Sequence, residues 1–227
     1  MKCWICGDEA NTREHQIKAS DLKSVFGHIT NKSPLHFHTN KVRNHYIQGI
    51  KSDKLKYKTL ICAHCNNELT QPNDKAWERL SNHLRDRKPP IKPSMKICLS
   101  RVFPGSVSKS MLDVHLYFLK LFGCLITEKK IPLDINQFAQ SILKGVPHPK
   151  VWLTLCTGLQ HPSIKHVGCS QVETAQIEGR ITYASWFYVV DKVAINIIYA
   201  EPHEHRKGLV HAWHPSTVGK RIRVVGQ

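Results

Sequence analysis

The chain is predicted to fold as an α+β protein in two parts, on three observations. Two C-x-x-C pairs, Cys3/Cys6 and Cys62/Cys65, bracket a polar N-terminal stretch. A proline run at Pro89, Pro90 and Pro93 interrupts the chain after it. Beyond that run, apolar residues first recur at helical spacing and later alternate as in strands. These features divide the sequence into residues 1–88 and 89–227.

In the first part, residues 27–55 are rich in His, Asn and Lys and have little periodicity, so a long loop or a hairpin is expected. Lys56 to Cys62 reads as a short strand. Asn73 to Leu84 reads as a helix, with Asn73 as N-cap and Trp77, Leu80 and Leu84 on one face. The prolines that follow cannot continue that helix and favour extended backbone. In the second part, Met111 to Ile126 is apolar at helical spacing, with Leu112, Leu116, Leu119 and Phe122 on one face. A second helix is expected from Ile135 to Leu143, capped by Asp134 and stopped near Gly145. Ile181 to Tyr188 and Val193 to Tyr199 alternate like strands, with Asp191-Lys192 as the turn of a hairpin. The late sheet is therefore expected to be antiparallel.

The chain carries 33 Lys+Arg against 17 Asp+Glu, a formal charge of +16. That excess points to a polyanionic partner, nucleic acid above all. It is spread along the chain: residues 1–100 hold 18 basic and 9 acidic side chains. Both parts can then meet a phosphate backbone, with salt-dependent binding. A hydrophobic fraction of 41% argues against disorder. No apolar run reads as a bilayer span. The opening residues MKCWICGDEA lack the apolar core of a signal peptide. A cytoplasmic protein with no membrane partner is expected, and there thiols stay reduced. Its eight Cys then sort into metal ligands and buried thiols, not disulfides.

Each C-x-x-C spacing lets one turn offer two thiolates to one metal. Two such turns complete a tetrahedral Zn²⁺ site on Cys3, Cys6, Cys62 and Cys65. Four thiolates leave no open position for water, so the metal is structural. A thioredoxin-like redox pair is disfavoured, because neither pair opens a helix after a parallel strand. Cys98, Cys124, Cys156 and Cys169 lack such spacing and are expected as buried thiols.

Two stretches carry a family resemblance: Thr12-Arg13-Glu14-His15-Gln16-Ile17, and Cys62-Ala63-His64-Cys65-Asn66-Asn67-Glu68-Leu69-Thr70 followed by Asn73-Asp74. Together they resemble HNH endonucleases of the ββα-metal (His-Me finger) superfamily, in the branch braced by paired zinc knuckles. The resemblance covers about Met1 to Leu84. It implies a ββα-metal module that hydrolyses phosphodiester bonds, DNA before RNA. It implies that His15 is the general base and that Asn67 orients the His or binds the metal. It implies that Glu14 and Asp74 hold a catalytic Mg²⁺ or Mn²⁺. Asn66 is the alternative motif Asn, or a cap of the knuckle turn. Asp74 can equally complement the positive end of its helix, and Glu14 can be a plain surface carboxylate.

The implied chemistry is self-consistent. Phosphodiester hydrolysis needs a base near operating pH, and His is the usual choice. It also needs a cation at the phosphate, and carboxylate and amide oxygens suit Mg²⁺ or Mn²⁺. The chain departs from the family in two ways. The third motif position is Asp, not His. The stretch between His15 and Asn67 is longer than in compact members, so an insertion within residues 27–55 must bulge from the module.

Lys41, Arg43, Lys51, Lys54, Lys56 and Lys58 are placed to contact a phosphate backbone, or to form a solvated charged face. His36, His38 and the His203-Glu204-His205 run are read as solvated or phosphate-contacting before metal-binding. The second part is expected to bind DNA, to dimerise, or to dock a partner such as an ATPase. By analogy, modules of this build serve as effectors of bacterial anti-phage systems and mobile elements. A non-catalytic zinc-braced nucleic-acid-binding protein is the reading from another class.

Overall fold

The structure is a computed structural model. It describes residues 1–30, 32–39, 41–47, 49–158, 165–202, 204 and 207–226. The His203 and His205 of the run singled out above lie outside the described residues. The chain is a mixed α+β protein.

The first knuckle leads into strand β1 (Thr12–His15) and helix α1 (Ala19–Phe26). The stretch expected as loop or hairpin holds a short hairpin, β2 (Leu35–Phe37) and β3 (His45–Ile47). Strand β4 (Lys56–Ile61) returns antiparallel to β1. The pairing shifts register between Arg13 and His15, and such an irregularity re-aims the side chains beside it. The second knuckle forms a wide π-helical turn, His64–Leu69, and runs into helix α2 (Gln71–Arg85). This helix starts two residues earlier than expected. Pro72 serves its first turn, while Asn73 is buried within it and not at the cap.

Strand β5 (Lys96–Cys98) and a single turn, α3 (Leu99–Val102), precede the long helix α4 (Val107–Lys129). Helix α5 (Ile135–Lys144) has the expected ends. The Asp134 side chain accepts from the Asn136 N–H, and Gly145 closes the helix at φ 62°, which favours glycine. The remaining strands are β6 (Val151–Thr157), β7 (Val167–Cys169), β8 (Glu173–Ile177), β9 (Arg180–Val190), β10 (Val193–Ala200) and β11 (Arg221–Gly226).

These strands form a seven-stranded sheet with the path β5-β11-β6-β10-β9-β7, and β8 also pairs with β9. The β9–β10 hairpin turns at Asp191-Lys192, as its pattern predicts. The sheet is antiparallel except where β11 runs parallel to β6. Every residue of β10 is buried, as suits the middle of a covered sheet.

Helix α4 is long and apolar enough to cross a bilayer by length and composition alone. Its residues are instead buried by protein, with α2, α5 and β4 packed around it, as in the core helix of a soluble protein. One apolar cluster runs from Cys3 to Val224 and crosses the proline run. At its centre Trp77 of α2 stacks on Tyr117 of α4, with Phe118 and Tyr188 edge-on. Beside them the Asp21 carboxylate is buried and accepts from Trp77 Nε1, Tyr188 Oη and Ser81 Oγ. Burial raises its pKa, and these donors and Arg85 oppose the rise.

A buried histidine group lies at the far end of α4. His115 Nε2 accepts the His148 backbone N–H at 3.1 Å, and His148 Nδ1 accepts the Lys150 N–H at 3.2 Å. Both acceptors exist only on neutral rings. Burial pushes His115 well below the usual histidine value and His148 down to about 4, with Lys150 and His214 adding to the His148 shift and Asp134 and Glu201 opposing it. A depressed histidine stabilises the fold above its unfolded pKa. That stability is lost as pH falls from about 6.5 towards 4. For His148 the loss reaches about 2 kcal/mol by pH 5. Urea midpoints measured at pH 7 and pH 5 should therefore fall with acid, and His148→Phe should flatten the dependence. A midpoint that holds from pH 7 to pH 5 would contradict the neutral pair.

Candidate metal and nucleic-acid site

The four knuckle sulfurs come together. Cys3, Cys6, Cys62 and Cys65 place their Sγ atoms within 4.8 Å of one another, and Cys6 lies 3.5 Å from Cys62. Bonds of about 2.3 Å to one tetrahedral Zn²⁺ would set sulfurs about 3.8 Å apart. The cluster can therefore hold a structural metal such as zinc. Local backbone shapes it. The Gly7 N–H donates to Cys3 O at 2.9 Å in a turn that needs φ 84° at Gly7. In the second knuckle the Cys65 N–H donates to Cys62 Sγ at 3.3 Å. Burial raises the Cys6 thiol to about 11 and the Cys65 thiol further still. A metal binds the thiolates, so loading releases those protons.

The knuckles are tied to the long helix. Trp4 covers Gly123 of α4 so closely that a Cβ there would fall 2.2 Å from the ring. Thr70, at the end of the second knuckle, donates to Cys65 O at 2.8 Å and accepts from Lys120 Nζ at 3.2 Å.

Lys120 is the residue the sequence did not reveal. It sits in the apolar face of α4 with no exposed surface. Its ammonium lies 3.1 Å from Glu14 Oε2 and 3.4 Å from Asp74 Oδ1. With Thr70 these acceptors satisfy its three N–H donors. Burial alone would depress this lysine, but Glu14 and Asp74 outweigh it and hold its pKa above the ordinary value. Lys18 adds a second ammonium, 3.8 Å from both Asp74 and Glu78. The structure thus brings Glu14 and Asp74 to one place, on either side of Lys120. A catalytic Mg²⁺ or Mn²⁺ does not fit that place as it stands, because a lysine cation already holds the gap between the carboxylates.

His15 faces elsewhere. The strand irregularity between Arg13 and His15 parts the two neighbours: Glu14 reaches Lys120 of α4, while the half-buried His15 engages the connection between β3 and β4. His15 Nε2 lies 3.2 Å from the Ile50 carbonyl oxygen. That nitrogen must carry the proton it donates. In the neutral ring, Nδ1 is then the free acceptor. His15 makes no hydrogen bond or ion pair with Glu14 or Asp74 among the described residues. Asn67 is exposed and joins neither group. Asn66 is the engaged neighbour: its Nδ2 donates to Thr12 Oγ1 at 3.2 Å, fastening the knuckle to β1. That contact lies about 10 Å along the strand from His15.

The segment 50–56 wraps around His15. Gln16 N–H donates to Leu55 O at 2.8 Å, and His15 pairs with Lys56 across the strands. Lys56 thus pairs across the strands from His15, and Lys51 and Lys54 are exposed on the same segment. Arg13 and Lys56 share Asp53, at 3.7 and 3.0 Å, and Lys54 contacts His45. Lys41 and Arg43 are exposed near the tip of the β2–β3 hairpin. Lys58 is exposed on β4, its backbone N–H held by Glu128. His36 and His38 share the exposed face of the hairpin. Cys124 and Cys156 are buried as expected, Cys98 is half-buried, and Cys169 is exposed, against expectation.

Comparison with protein-family models, curated proteins and solved structures finds no match to this chain. The cysteine cluster gives a direct test. Cys65→Ser should lower both bound zinc, read by elemental analysis, and the midpoint of thermal unfolding, because a structural metal contributes to folding directly. Unchanged metal content in that variant would contradict the four-sulfur site.

Proposed function

We propose that the N-terminal part is a zinc-braced phosphodiester hydrolase of the HNH plan, acting on nucleic acid and on DNA before RNA. The observation that carries this reading is His15: a half-buried histidine whose Nε2 is engaged by the Ile50 carbonyl, leaving Nδ1 as acceptor, on a basic segment that holds the Arg13–Asp53–Lys56 group and the exposed Lys51 and Lys54. The order of elements agrees with it. An antiparallel pair, β1 and β4, is followed by α2, and the two cysteine knuckles brace both.

The roles follow from position. The Ile50 carbonyl holds the imidazole so that Nδ1 can take a proton from attacking water. Lys51 and Lys54 meet the phosphate, since Arg13 and Lys56 are partly neutralised by Asp53. Zinc on the four cysteines braces the hairpin against α2 and takes no part in the chemistry.

One observation favours a second reading. The Glu14–Lys120–Asp74 cluster is charge-satisfied without a divalent ion, as a structural network would be. A zinc-braced nucleic-acid-binding protein without hydrolysis would show that arrangement too. Digestion of plasmid DNA and structured RNA separates the two. His15→Ala should lower cleavage by about 100-fold or more, with zinc content and nucleic-acid affinity retained. Undiminished cleavage would remove His15 as base. Tight binding with no cleavage by wild type would favour the second reading.

A further inference from the structure

We propose that Lys120 is the resident cation of the Glu14–Asp74 pair and excludes divalent ions from it. The inference takes only its location from the hydrolase reading; it concerns what occupies the carboxylates, not whether His15 cuts.

The first argument is occupancy. Nζ of Lys120 sits 3.1 Å from Glu14 and 3.4 Å from both oxygens of Asp74, which is where a bridging cation would sit. Thr70 takes its remaining N–H at 3.2 Å. The second argument is that this cation cannot step aside. Its stem rises from the middle of α4, where Tyr117, Leu119 and Leu121 are fully buried, and the side chain itself has no exposed surface. The third is charge. Two ammoniums, Lys120 and Lys18, already match Glu14 and Asp74, with Glu78 sharing Lys18. A divalent ion added beside Lys120 would meet a like charge at close range, inside a protein. The fourth is room. Mg²⁺ and Mn²⁺ keep several waters when bound by one or two carboxylates. Glu14 and Asp74 are only 12% and 20% exposed.

Lys120 is accordingly a positioning residue. It fixes Glu14 of β1 against Asp74 of α2. The ammonium does not act on substrate, because all three of its N–H groups are taken.

The test is Mn²⁺ titration of the zinc-loaded full chain, followed by electron paramagnetic resonance. Wild type and Glu14→Gln should bind Mn²⁺ alike. Lys120→Met should gain a Mn²⁺ site, and adding Glu14→Gln to it should remove that site. Mn²⁺ binding by wild type that Glu14→Gln abolishes would overturn the proposal. So would a folded Lys120→Met that gains nothing. Should Lys120→Met not fold, thermal unfolding of wild type with and without Mn²⁺ decides: no shift supports the proposal, and a rise lost in Glu14→Gln overturns it. Cleavage is not read in any arm, so a failure here leaves the role of His15 to its own assay.

Discussion

The buried ammonium of Lys120 is the contact on which the N-terminal architecture depends. It gathers four pieces that share no local sequence: β1 through Glu14, α2 through Asp74, the second knuckle through Thr70, and α4 through its own stem. Burying a lone lysine is prohibitive, so the helix can pack there only with both carboxylates in place. Removing either partner leaves an uncompensated buried charge, which is far more damaging than losing a surface ion pair. The interaction is thus weak evidence of net stability and strong evidence of specificity. It fixes one arrangement of strand, knuckle and helix.

Asp21 repeats the logic with the sign reversed. Its carboxylate is enclosed by donors from Trp77 and Ser81 on α2 and Tyr188 on β9, with Arg85 nearby. Aromatic rings close around it, Trp77 on Tyr117 and Tyr188. Two buried charges of opposite sign therefore register the long helix, the sheet and the knuckle region against one another.

How much of this was legible in the sequence follows from the range of each interaction. Helices α2, α4 and α5 announce themselves because their apolar stripes and caps are local. The β9–β10 hairpin does so through alternation and its short turn. Strand β6 was missed because it is buried on both sides, and Val151-Trp152-Leu153-Thr154-Leu155-Cys156-Thr157 shows no clean alternation. Helix α1 is short, and its buried acid, Asp21, hides the apolar stripe. The cysteine spacing revealed the four-sulfur cluster because two thiols come from each turn. Glu14 and Asp74 were singled out together, and they meet. Lys120 was invisible: in the sequence it is one lysine in an apolar helix, and its partners lie far away in the chain. His15 and Asn67 were paired by motif, yet the strand separates them, because Asn66 and not Asn67 turns towards β1.

The aromatic core shared across the proline run has a further consequence. Trp77, Leu80 and Leu84 cover themselves with residues of α4 and the sheet, and Asp21 draws its donors from both sides of residues 88 and 89. A fragment ending there would present a bare indole and an orphaned carboxylate to water. The knuckle-bearing segment is therefore not a portable cassette. Grafting it onto another scaffold would require carrying α4 and β9 along.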